Sequence, residues 1–358
     1  MRGVWLAIVA EAALLCCAPD AIALGPAIAY TGGGEIKVIR ADGAGRRTLT
    51  ATPLGYKSLA PAWSARGDVL GFVRVPELDE RKRRSRLVLV DVGTREKRVL
   101  RFGAAPSAPS FSPDGRAVAY SAEVEAGEAG STSALRIADV DGSEERVLTQ
   151  PSVGAAYDAD PAWSPDGVRI AFTRLPSFGA TPEIWSISTD GSEAQRLATD
   201  GLDPAWSPDG RQIAFVSTRD SNGMTCFHDC SPNGEIYVMD ASGANQRRLT
   251  YTKTDEAEPA WSPDGTQIAF ASARPVPKGN QELYSMRADG SCATRLTNTS
   301  VANSGPAWRP TGPYSSPLVC DGVVPAARAP AMETDLRDAR RHRGFRLRGS
   351  ERPTGVRC

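Results

Sequence analysis

The sequence predicts an all-β fold: a six-bladed β-propeller of four-stranded antiparallel blades, closed by pairing of the N- and C-terminal strands. Three observations predict it. The phrase Pro-Ala-Trp-Ser-Pro-Asp-Gly recurs along the chain, short stretches of alternating apolar and polar residues follow each copy, and no segment of the central region has helical apolar spacing. A repeat of roughly fifty residues is typical of propellers and solenoids.

The blade count comes from aligning each copy of the phrase on its aromatic residue. The six aromatic residues are Trp63, Phe111, Trp163, Trp206, Trp261 and Trp308. After each of the first five aromatic residues come Ile-Ala-Phe or an equivalent, a variable loop, an alternating strand such as EIWSISTDG, and a short strand ending in Arg-Leu-Thr or similar. Alternation in short stretches rich in Ile, Val, Tyr and Trp predicts β-strands. Four such strands joined as hairpins make one propeller blade.

The letters of the repeat have structural roles. In Ser-Pro-Asp-Gly, the proline presets φ, the aspartate bonds back to the backbone and the glycine accepts positive φ, so the segment predicts a tight turn. The tryptophans supply large apolar surfaces that suit the wedge between neighbouring blades. We therefore assign the tryptophans to the core and not to ligand stacking.

The two ends of the repeat region predict how the ring closes. Residues 27–30 match the second strand of a blade, whereas the last repeat stops after residues 305–310, which match a first strand. Residues 306–308 are therefore expected to pair with residues 27–31. Such a pairing removes the sheet edges that an open array would expose.

The motif PAWSPDGxxIAF, followed by EIYVMDxxG and RLT, resembles the repeat of the TolB-like β-propellers, a WD-repeat-like family. The resemblance covers about residues 27–312. Two copies depart from it: PAWSARG lacks the Pro-Asp of the turn, and PAWRPTG lacks the Asp-Gly. The resemblance implies a binding propeller, and TolB docks an envelope lipoprotein. TolB also has an N-terminal α/β domain, for which we expect no counterpart here.

The regions outside the repeats indicate the location of the protein. Residues 1–23 carry one Arg, an apolar run and a small-x-small site, which is typical of a secretory signal peptide despite Glu11. Lipidation at Cys16 or Cys17 stays open. We assign residues 24–324 to the propeller and expect an extracytoplasmic, periplasmic or secreted protein. Residues 325–358 hold nine Arg and four acids with little apolar content, so a solvated, disordered tail is predicted, and no nucleic-acid partner is expected.

The candidate site is the mouth of the central channel, on the face that receives the long insertions. The residue before each first-strand proline should ring this mouth: Ala60, Ala108, Asp160, Asp203, Glu258 and Gly305. Four further acids lie close in sequence: Asp158, Asp200, Asp255 and Glu256. An acidic arc of this kind attracts a cation or a basic peptide. The alternative is that these acids are solvated or cap turns.

The cysteines predict two disulfides. A local disulfide between Cys226 and Cys230 is predicted, and a second between Cys292 and Cys320; a metal site that includes His228 is the less favoured alternative. Calcium is a subsidiary option, since no complete calcium loop is present and residues 138–145 fit a hairpin better. Otherwise no cofactor is expected.

Catalysis is not expected. The chain has no Gly-x-Ser-x-Gly elbow and only two histidines, at positions 228 and 342, which argues against a catalytic triad and against multi-histidine metal chemistry. A hydrolase or lyase that uses carboxylates of the mouth stays open. The favoured function is a non-catalytic scaffold that recognises a protein or peptide partner, and the alternative is recognition of a glycan or another small ligand.

Overall fold

The structure is a computed structural model. Its described residues are 27–77, 85–100, 102, 106–124, 132–151, 157–177, 179–220, 224–226, 230–274 and 280–310. They all belong to one unit, Met1–Pro325, while the second unit, Ala326–Cys358, lies outside them. The predicted signal peptide and tail also lie outside the described residues. Within the described part every regular element is a β-strand, and no helix there is long and apolar enough to cross a membrane.

Sheets 1 to 3 contain the first eleven strands and the last one. Sheet 1 consists, in order, of β26 (Asn303–Trp308), β1 (Ala27–Gly32), β2 (Glu35–Arg40) and β3 (Arg47–Thr50). Sheet 2 consists of β4 (Tyr56–Trp63), β5 (Val69–Pro76), β6 (Arg86–Asp91) and β7 (Lys97–Leu100). Sheet 3 consists of β8 (Pro106–Phe111), β9 (Ala117–Val124), β10 (Thr132–Asp139) and β11 (Arg146–Val147).

Sheets 4 to 6 repeat the pattern. Sheet 4 consists of β12 (Tyr157–Trp163), β13 (Arg169–Leu175), β14 (Glu183–Ser188) and β15 (Gln195–Ala198). Sheet 5 consists of β16 (Leu202–Trp206), β17 (Gln212–Ser217), β20 (Glu235–Asp240) and β21 (Arg247–Arg248), and a separate pair, β18 (Met224–Cys226) and β19 (Cys230–Pro232), lies between β17 and β20 in sequence. Sheet 6 consists of β22 (Glu256–Trp261), β23 (Gln267–Ser272), β24 (Glu282–Arg287) and β25 (Thr294–Arg295).

Pairing within every sheet is antiparallel, and a single parallel bridge between Ser133 and Tyr157 links sheets 3 and 4. In sheet 1 the terminal strands pair, with Ile28 opposite Trp308 and Ala29 opposite Ala307. The prediction of an all-β fold with four-stranded antiparallel sheets of the propeller kind is confirmed. The count of six blades and the closure of the ring stay predictions.

The Ser-Pro-Asp-Gly segments form the turns that the sequence predicts. In the turn from β12 to β13, Ser164 donates its hydroxyl to Asp166 at 2.5 Å, Asp166 accepts the amide of Val168 at 3.0 Å, and Gly167 has a φ of 75°. The departing copy in sheet 2 keeps the turn by another route, because Ser64 donates to Asp68 at 2.7 Å. The aspartate has moved along the sequence, and its role is retained.

The apolar core lies between neighbouring sheets, in separate clusters. One cluster joins Leu135 of sheet 3 to Ile170 and Phe172 of sheet 4. Another joins Leu283 of sheet 6 to Ile28 of sheet 1. These side chains are fully buried, and each aliphatic or aromatic residue contributes about 1.5–3 kcal/mol to folding. The β-branched and aromatic residues of the second and third strands therefore hold one sheet against the next.

A tryptophan hydrogen bond recurs where adjacent sheets meet. The indole Nε1 donates to a backbone carbonyl of the neighbouring sheet in four cases: Trp63 to Ala307 at 3.1 Å, Trp206 to Ala162 at 3.1 Å, Trp261 to Ala205 at 3.2 Å and Trp308 to Ala260 at 3.1 Å. Trp163 differs, because its buried Nε1 has no acceptor among the described residues. There the hydroxyl of Ser110 accepts the backbone amide of Trp163 instead, at 3.2 Å.

This difference predicts unequal costs for two matched substitutions. Trp206→Phe removes the hydrogen bond to the Ala162 carbonyl, whereas Trp163→Phe removes no such bond, and both lose similar apolar area. We expect Trp206→Phe to lower the free energy of unfolding by about 1 kcal/mol more than Trp163→Phe does. Urea denaturation of the two variants measures the difference. Equal losses would contradict a stabilising role for the inter-sheet bond.

Candidate functional site

A cavity of about 230 Å³ lies where the first strands of the six sheets converge. Its lining consists of one residue from each sheet and the proline that follows it: Ala60, Pro61, Ala108, Pro109, Asp160, Pro161, Asp203, Pro204, Glu258, Pro259, Gly305 and Pro306. The six residues are those that the sequence predicts for the channel mouth. The structure therefore brings Asp160, Asp203 and Glu258 together in one cavity.

The backbone places these six residues in the left-handed region. Their φ values are 50° for Ala60, 44° for Ala108, 50° for Asp160, 54° for Asp203, 53° for Glu258 and 59° for Gly305. At the same point, each first strand shifts register against its neighbour, as in a β-bulge. Five of the six are not glycine, and positive φ costs such residues of the order of 1 kcal/mol each. A residue with positive φ thus recurs at the equivalent point of every sheet, and all six line the cavity.

The three carboxylates are connected from sheet to sheet. The side chains of Asp160 and Asp203 are hydrogen-bonded to each other. Asp203 also accepts the backbone amide of Glu258 at 3.3 Å, and Glu258 accepts the backbone amide of Gly305 at 2.6 Å. Each carboxylate thus binds the mouth residue of the next sheet. This series of hydrogen bonds ends at Gly305, which has no side chain.

The electrostatics of the mouth favour proton retention. Burial raises the pKa of Asp160, and it raises the pKa of Glu258, to which the charge of Asp160 adds. The pKa of Asp203 lies well above its ordinary value, because burial and then the charges of Asp160 and Glu258 disfavour its ionised form. A hydrogen bond between two carboxyl groups requires a proton, so Asp160 and Asp203 titrate as a pair. A cation that enters the cavity would compensate the same repulsion.

Two of the other predicted acids do not line the cavity, because each is buried against an arginine. Asp158 is fully buried and forms a bidentate pair with Arg174, at 2.7 and 2.8 Å. Glu256 is buried and accepts from Arg274 at 3.0 Å. Burial nevertheless raises the pKa of Glu256 to about 7, since its effect exceeds that of Arg274. These two acids therefore contribute ion pairs to the scaffold.

Asp200 and Asp255 also lie outside the cavity lining. Asp255 accepts the backbone amide of Gly234 at 2.7 Å, and Asp200 accepts the backbone amide of Thr218 at 3.4 Å. Both carboxylates thus fix loops beside the mouth. A partner-binding role for any of the seven predicted acids stays a prediction.

A set of arginines, not foreseen from the sequence, surrounds the site. Arg174 lies over the rings of Phe172 and Trp185, at 5.1 and 4.7 Å from their centroids. Arg274 lies over Phe270 and Tyr284 in the same way, at 5.5 and 4.8 Å. The signal in the sequence is an arginine two or four residues after the buried aromatic residue of the second strand, as in Phe-Thr-Arg and Phe-Ala-Ser-Ala-Arg.

The cysteine and metal predictions are tested only in part. Cys226 stands directly opposite Cys230 in the pairing of β18 with β19, and their side chains lie outside the described residues, as does His228. Cys292 is disulfide-bonded, and its predicted partner Cys320 lies outside the described residues. Among the described side chains, no three His, Cys, Asp or Glu residues form a group that could hold a metal ion. The segment once considered for calcium forms the turn of the β10–β11 hairpin.

Comparison with known proteins gives one family and several relatives. A family model described as the TolB beta propeller domain matches residues 28–231 and 203–315. An uncharacterized peptidase, YuxL, of Bacillus subtilis is 32% identical over 164 residues, which is 46% of this chain and 21% of that protein. The Tol-Pal system protein TolB of Bordetella pertussis is 33% identical over 149 residues, which is 40% of this chain and 30% of that protein.

The solved structures agree with the fold. TolB from Acinetobacter baumannii superposes with a TM-score of 0.60 at 22% identity, over 80% of this chain and 67% of that one. At this identity the likeness concerns the fold. The chain spans only 21% and 30% of the length of the two relatives described above, so their whole-protein activities do not transfer with the match.

The raised pKa values predict a pH dependence of stability. Folding raises the pKa of Asp160 and Asp203 from 3.8 and of Glu258 from 4.5, so the stability from these groups is fully present below those values and is lost as the pH rises through the folded values. The variant Asp160→Asn/Asp203→Asn/Glu258→Gln lacks these protons. We expect its Tm, relative to that of the wild type, to rise between about pH 4 and pH 8, as calorimetry would measure.

A control variant removes the same charge elsewhere. Asp141, Asp190 and Asp289 lie in exposed turns, where hydrogen bonds from serines lower their pKa values. Replacing all three by Asn should leave the Tm difference flat over the same pH range, because these groups titrate below it. A flat difference for the mouth variant as well would refute the assignment of the shifts.

Proposed function

Because this chain belongs to the TolB beta propeller domain family, we propose that it is a non-catalytic binding protein that captures a protein or peptide partner at the channel mouth. The observation that carries the proposal is the shared cavity of Asp160, Asp203 and Glu258. All three belong to consecutive sheets, whereas the facing sheets contribute Ala60, Ala108 and Gly305. The mouth therefore has an acidic side and a side lined by small, uncharged residues, which we call the open side.

The chemistry of the mouth favours a basic group of the partner. Each carboxylate is half-buried, and burial together with the charges of Asp160 and Glu258 raises the pKa of Asp203, so an incoming lysine, arginine or terminal amine would relieve the repulsion. A narrow opening between low-dielectric walls focuses the field and raises the association rate. The basic residue would enter the cavity, and the surrounding loops would contact the rest of the partner.

The size of the cavity distinguishes the proposed partner from the alternatives. A volume of about 230 Å³ is below the range of roughly 300–1,000 Å³ typical of small-molecule pockets. It accommodates one or two side chains more readily than an oligosaccharide. Glycan binding is thus less favoured, and a carboxylate-based hydrolase or lyase would need a larger substrate pocket between its acidic groups.

The sequence and the resemblance support two further parts of the proposal: the location of this protein and the identity of its partner. The residue pattern at positions 1–23 is that of an export signal, so we propose an extracytoplasmic protein. The Bordetella relative belongs by name to the Tol-Pal system, and an envelope lipoprotein is accordingly our narrower candidate.

We also infer that the six sheets are six blades of a closed ring. In support, apolar clusters join sheet 6 to sheet 1 and sheet 1 to sheet 2, as they join the sheets between. The tryptophan bond of Trp63 to Ala307 at this junction has the same length, 3.1 Å, as that of Trp206 to Ala162.

Ring closure predicts that the junction of sheets 1 and 2 is as strong as an ordinary one. Trp63→Phe should lower the free energy of unfolding as much as Trp206→Phe, within about 0.5 kcal/mol, by urea denaturation. In an open array this junction would add little to stability. A negligible cost for Trp63→Phe would therefore argue against closure.

The binding proposal is tested by neutralising the mouth. The variant Asp160→Asn/Asp203→Asn/Glu258→Gln should bind the captured partner at least roughly ten-fold more weakly than the wild type, because it lacks the charges that face the basic group. Affinity capture from the extracytoplasmic fraction, followed by interferometry with the isolated partner, measures this change. Binding should also weaken with added salt.

Two controls accompany this experiment. The variant Asp141→Asn/Asp190→Asn/Asp289→Asn carries the same net charge change in exposed turns and should retain the affinity of the wild type. Residues 273–280 form one of the long insertions of the sequence. Shortening this segment should weaken binding of a protein partner and leave binding of a small ligand unchanged. Unchanged binding by the mouth variant would eliminate the acidic mouth as the docking point.

A further inference from the structure

Arg74 occupies, in sheet 2, the position that Arg174 occupies in sheet 4. Both stand near the end of the second strand of their sheet, and both lie over a buried phenylalanine, Arg74 over Phe72 at 5.6 Å. Their cross-strand neighbours differ. Arg174 stands directly opposite Asp158, whereas Arg74 stands directly opposite Ser58. Sheet 2 therefore has the arginine of the pair without its carboxylate.

One donor of the Arg74 guanidinium is unsatisfied. Among the described residues, its buried Nε has no hydrogen-bond acceptor, and no carboxylate there forms an ion pair with Arg74. Ser58 does not substitute, because its hydroxyl lies 2.8 Å from that of Thr52. Burial lowers the pKa of Arg74, and the charge of the Tyr56 phenol opposes that effect. An unpaired donor of this kind is costly, and a carboxylate would relieve the cost.

The nearby charged groups are already engaged with each other. Lys57 and Glu77, which flank this end of sheet 2, form an exposed pair at 3.9 Å. Arg74 itself is half-buried. Here the adjacent hairpin of sheet 1 is only the turn at Gly33 and Gly34, whose φ values are 62° and 79°. Because this turn is short, sheet 1 does not block access of a ligand to Arg74 from that side.

The loop beside Arg74 also displays an apolar group. Leu54 lies between β3 and β4 and is 100% exposed. The same loop is fixed to the glycine turn, since Thr52 donates to the carbonyl of Gly34 at 3.0 Å and the amide of Ser58 donates to it at 2.8 Å. Leu54 precedes Ser58, the residue opposite Arg74, by four residues, so an extended peptide could contact the leucine and place an acidic group at the arginine.

We propose that Arg74 binds a carboxylate of the peptide or protein partner, on the open side of the mouth and opposite the acidic arc. The inference rests on the proposed function and adds to it a second contact of opposite charge. Ser58 precedes Ala60 of the cavity lining by two residues, so Arg74 lies on the order of 7 Å along the strands from the mouth. The partner thus carries a basic group and a carboxylate a few residues apart.

The first experiment supplies the carboxylate from within the chain. Ser58→Asp recreates in sheet 2 the pair that Asp158 and Arg174 form in sheet 4. We expect it to raise the Tm by about 2–4 °C, and expect that gain to disappear in Ser58→Asp/Arg74→Gln. A gain in Tm that survives loss of Arg74, or no gain at all, would show that the guanidinium does not bind a carboxylate there.

The second experiment uses two peptides as probes, each with a blocked N-terminus and two lysines separated by glycine. One peptide ends in a free carboxylate and the other in an amide. On the wild type, the carboxylate peptide should bind roughly ten-fold more tightly than the amide, by fluorescence anisotropy. On Arg74→Gln and on Ser58→Asp, the two peptides should bind equally. Arg211→Gln, whose side chain is 85% exposed and far along the sequence, is the matched control and should keep the preference.

The outcomes separate the two proposals. Equal binding of both peptides to the wild type would overturn the role of Arg74 and leave the acidic mouth in place. Binding of neither peptide to the wild type would overturn both. Sodium acetate is the third probe. If acetate binds at Arg74 as tightly as the carboxylate peptide does, the site binds a free small carboxylate, and the proposal that it binds a carboxylate of the partner is overturned.

Discussion

A left-handed residue followed by proline interrupts the first strand of each sheet, and the geometry of the candidate site depends on it. In a regular strand, successive side chains alternate between the two faces of the sheet, which pack against neighbouring sheets. The register shift at Asp160, Asp203 and Glu258 breaks that alternation where the six strands converge. Side chains that would otherwise be buried between sheets reach a common cavity. Each sheet thus contributes one variable residue to a site whose walls are constant.

The same constraint explains the electrostatics. Because the interrupted positions are equivalent, neighbouring carboxylates lie within hydrogen-bond reach of the next sheet, and Asp203 faces like charges on both sides. Scaffold acids behave differently, since Asp158 and Glu256 meet stacked arginines that neutralise them. The chain therefore places acids in two environments: buried against arginines, as for Asp158 and Glu256, or linked to one another in the lining of a cavity. Only the second kind gains from an incoming cation.

Much of this arrangement could be predicted from the repeats. Aligning the prolines identified all six cavity residues, because a repeated phrase places equivalent letters at equivalent points. The roles of Asp158 and Glu256 could not be obtained in this way. Asp158 lies two residues before Asp160, so regular alternation would place both on the same face, but the shift in register separates them and turns Asp158 toward Arg174. Likewise, the lack of an acceptor for Trp163 depends on local strand geometry that the letters do not encode.

The constant letters of the repeat serve the scaffold, and the sheets differ from one another in the cavity lining and opposite the strand-end arginine. The arc of acids covers sheets 4 to 6, and the position opposite the strand-end arginine is Asp158 in sheet 4 and Ser58 in sheet 2. The resulting surface has negative groups on one side of the mouth and an unsatisfied guanidinium on the other. Under the two proposals, a uniformly basic ligand would contact only the acidic side, whereas a segment with both charges in the right order would contact both sides.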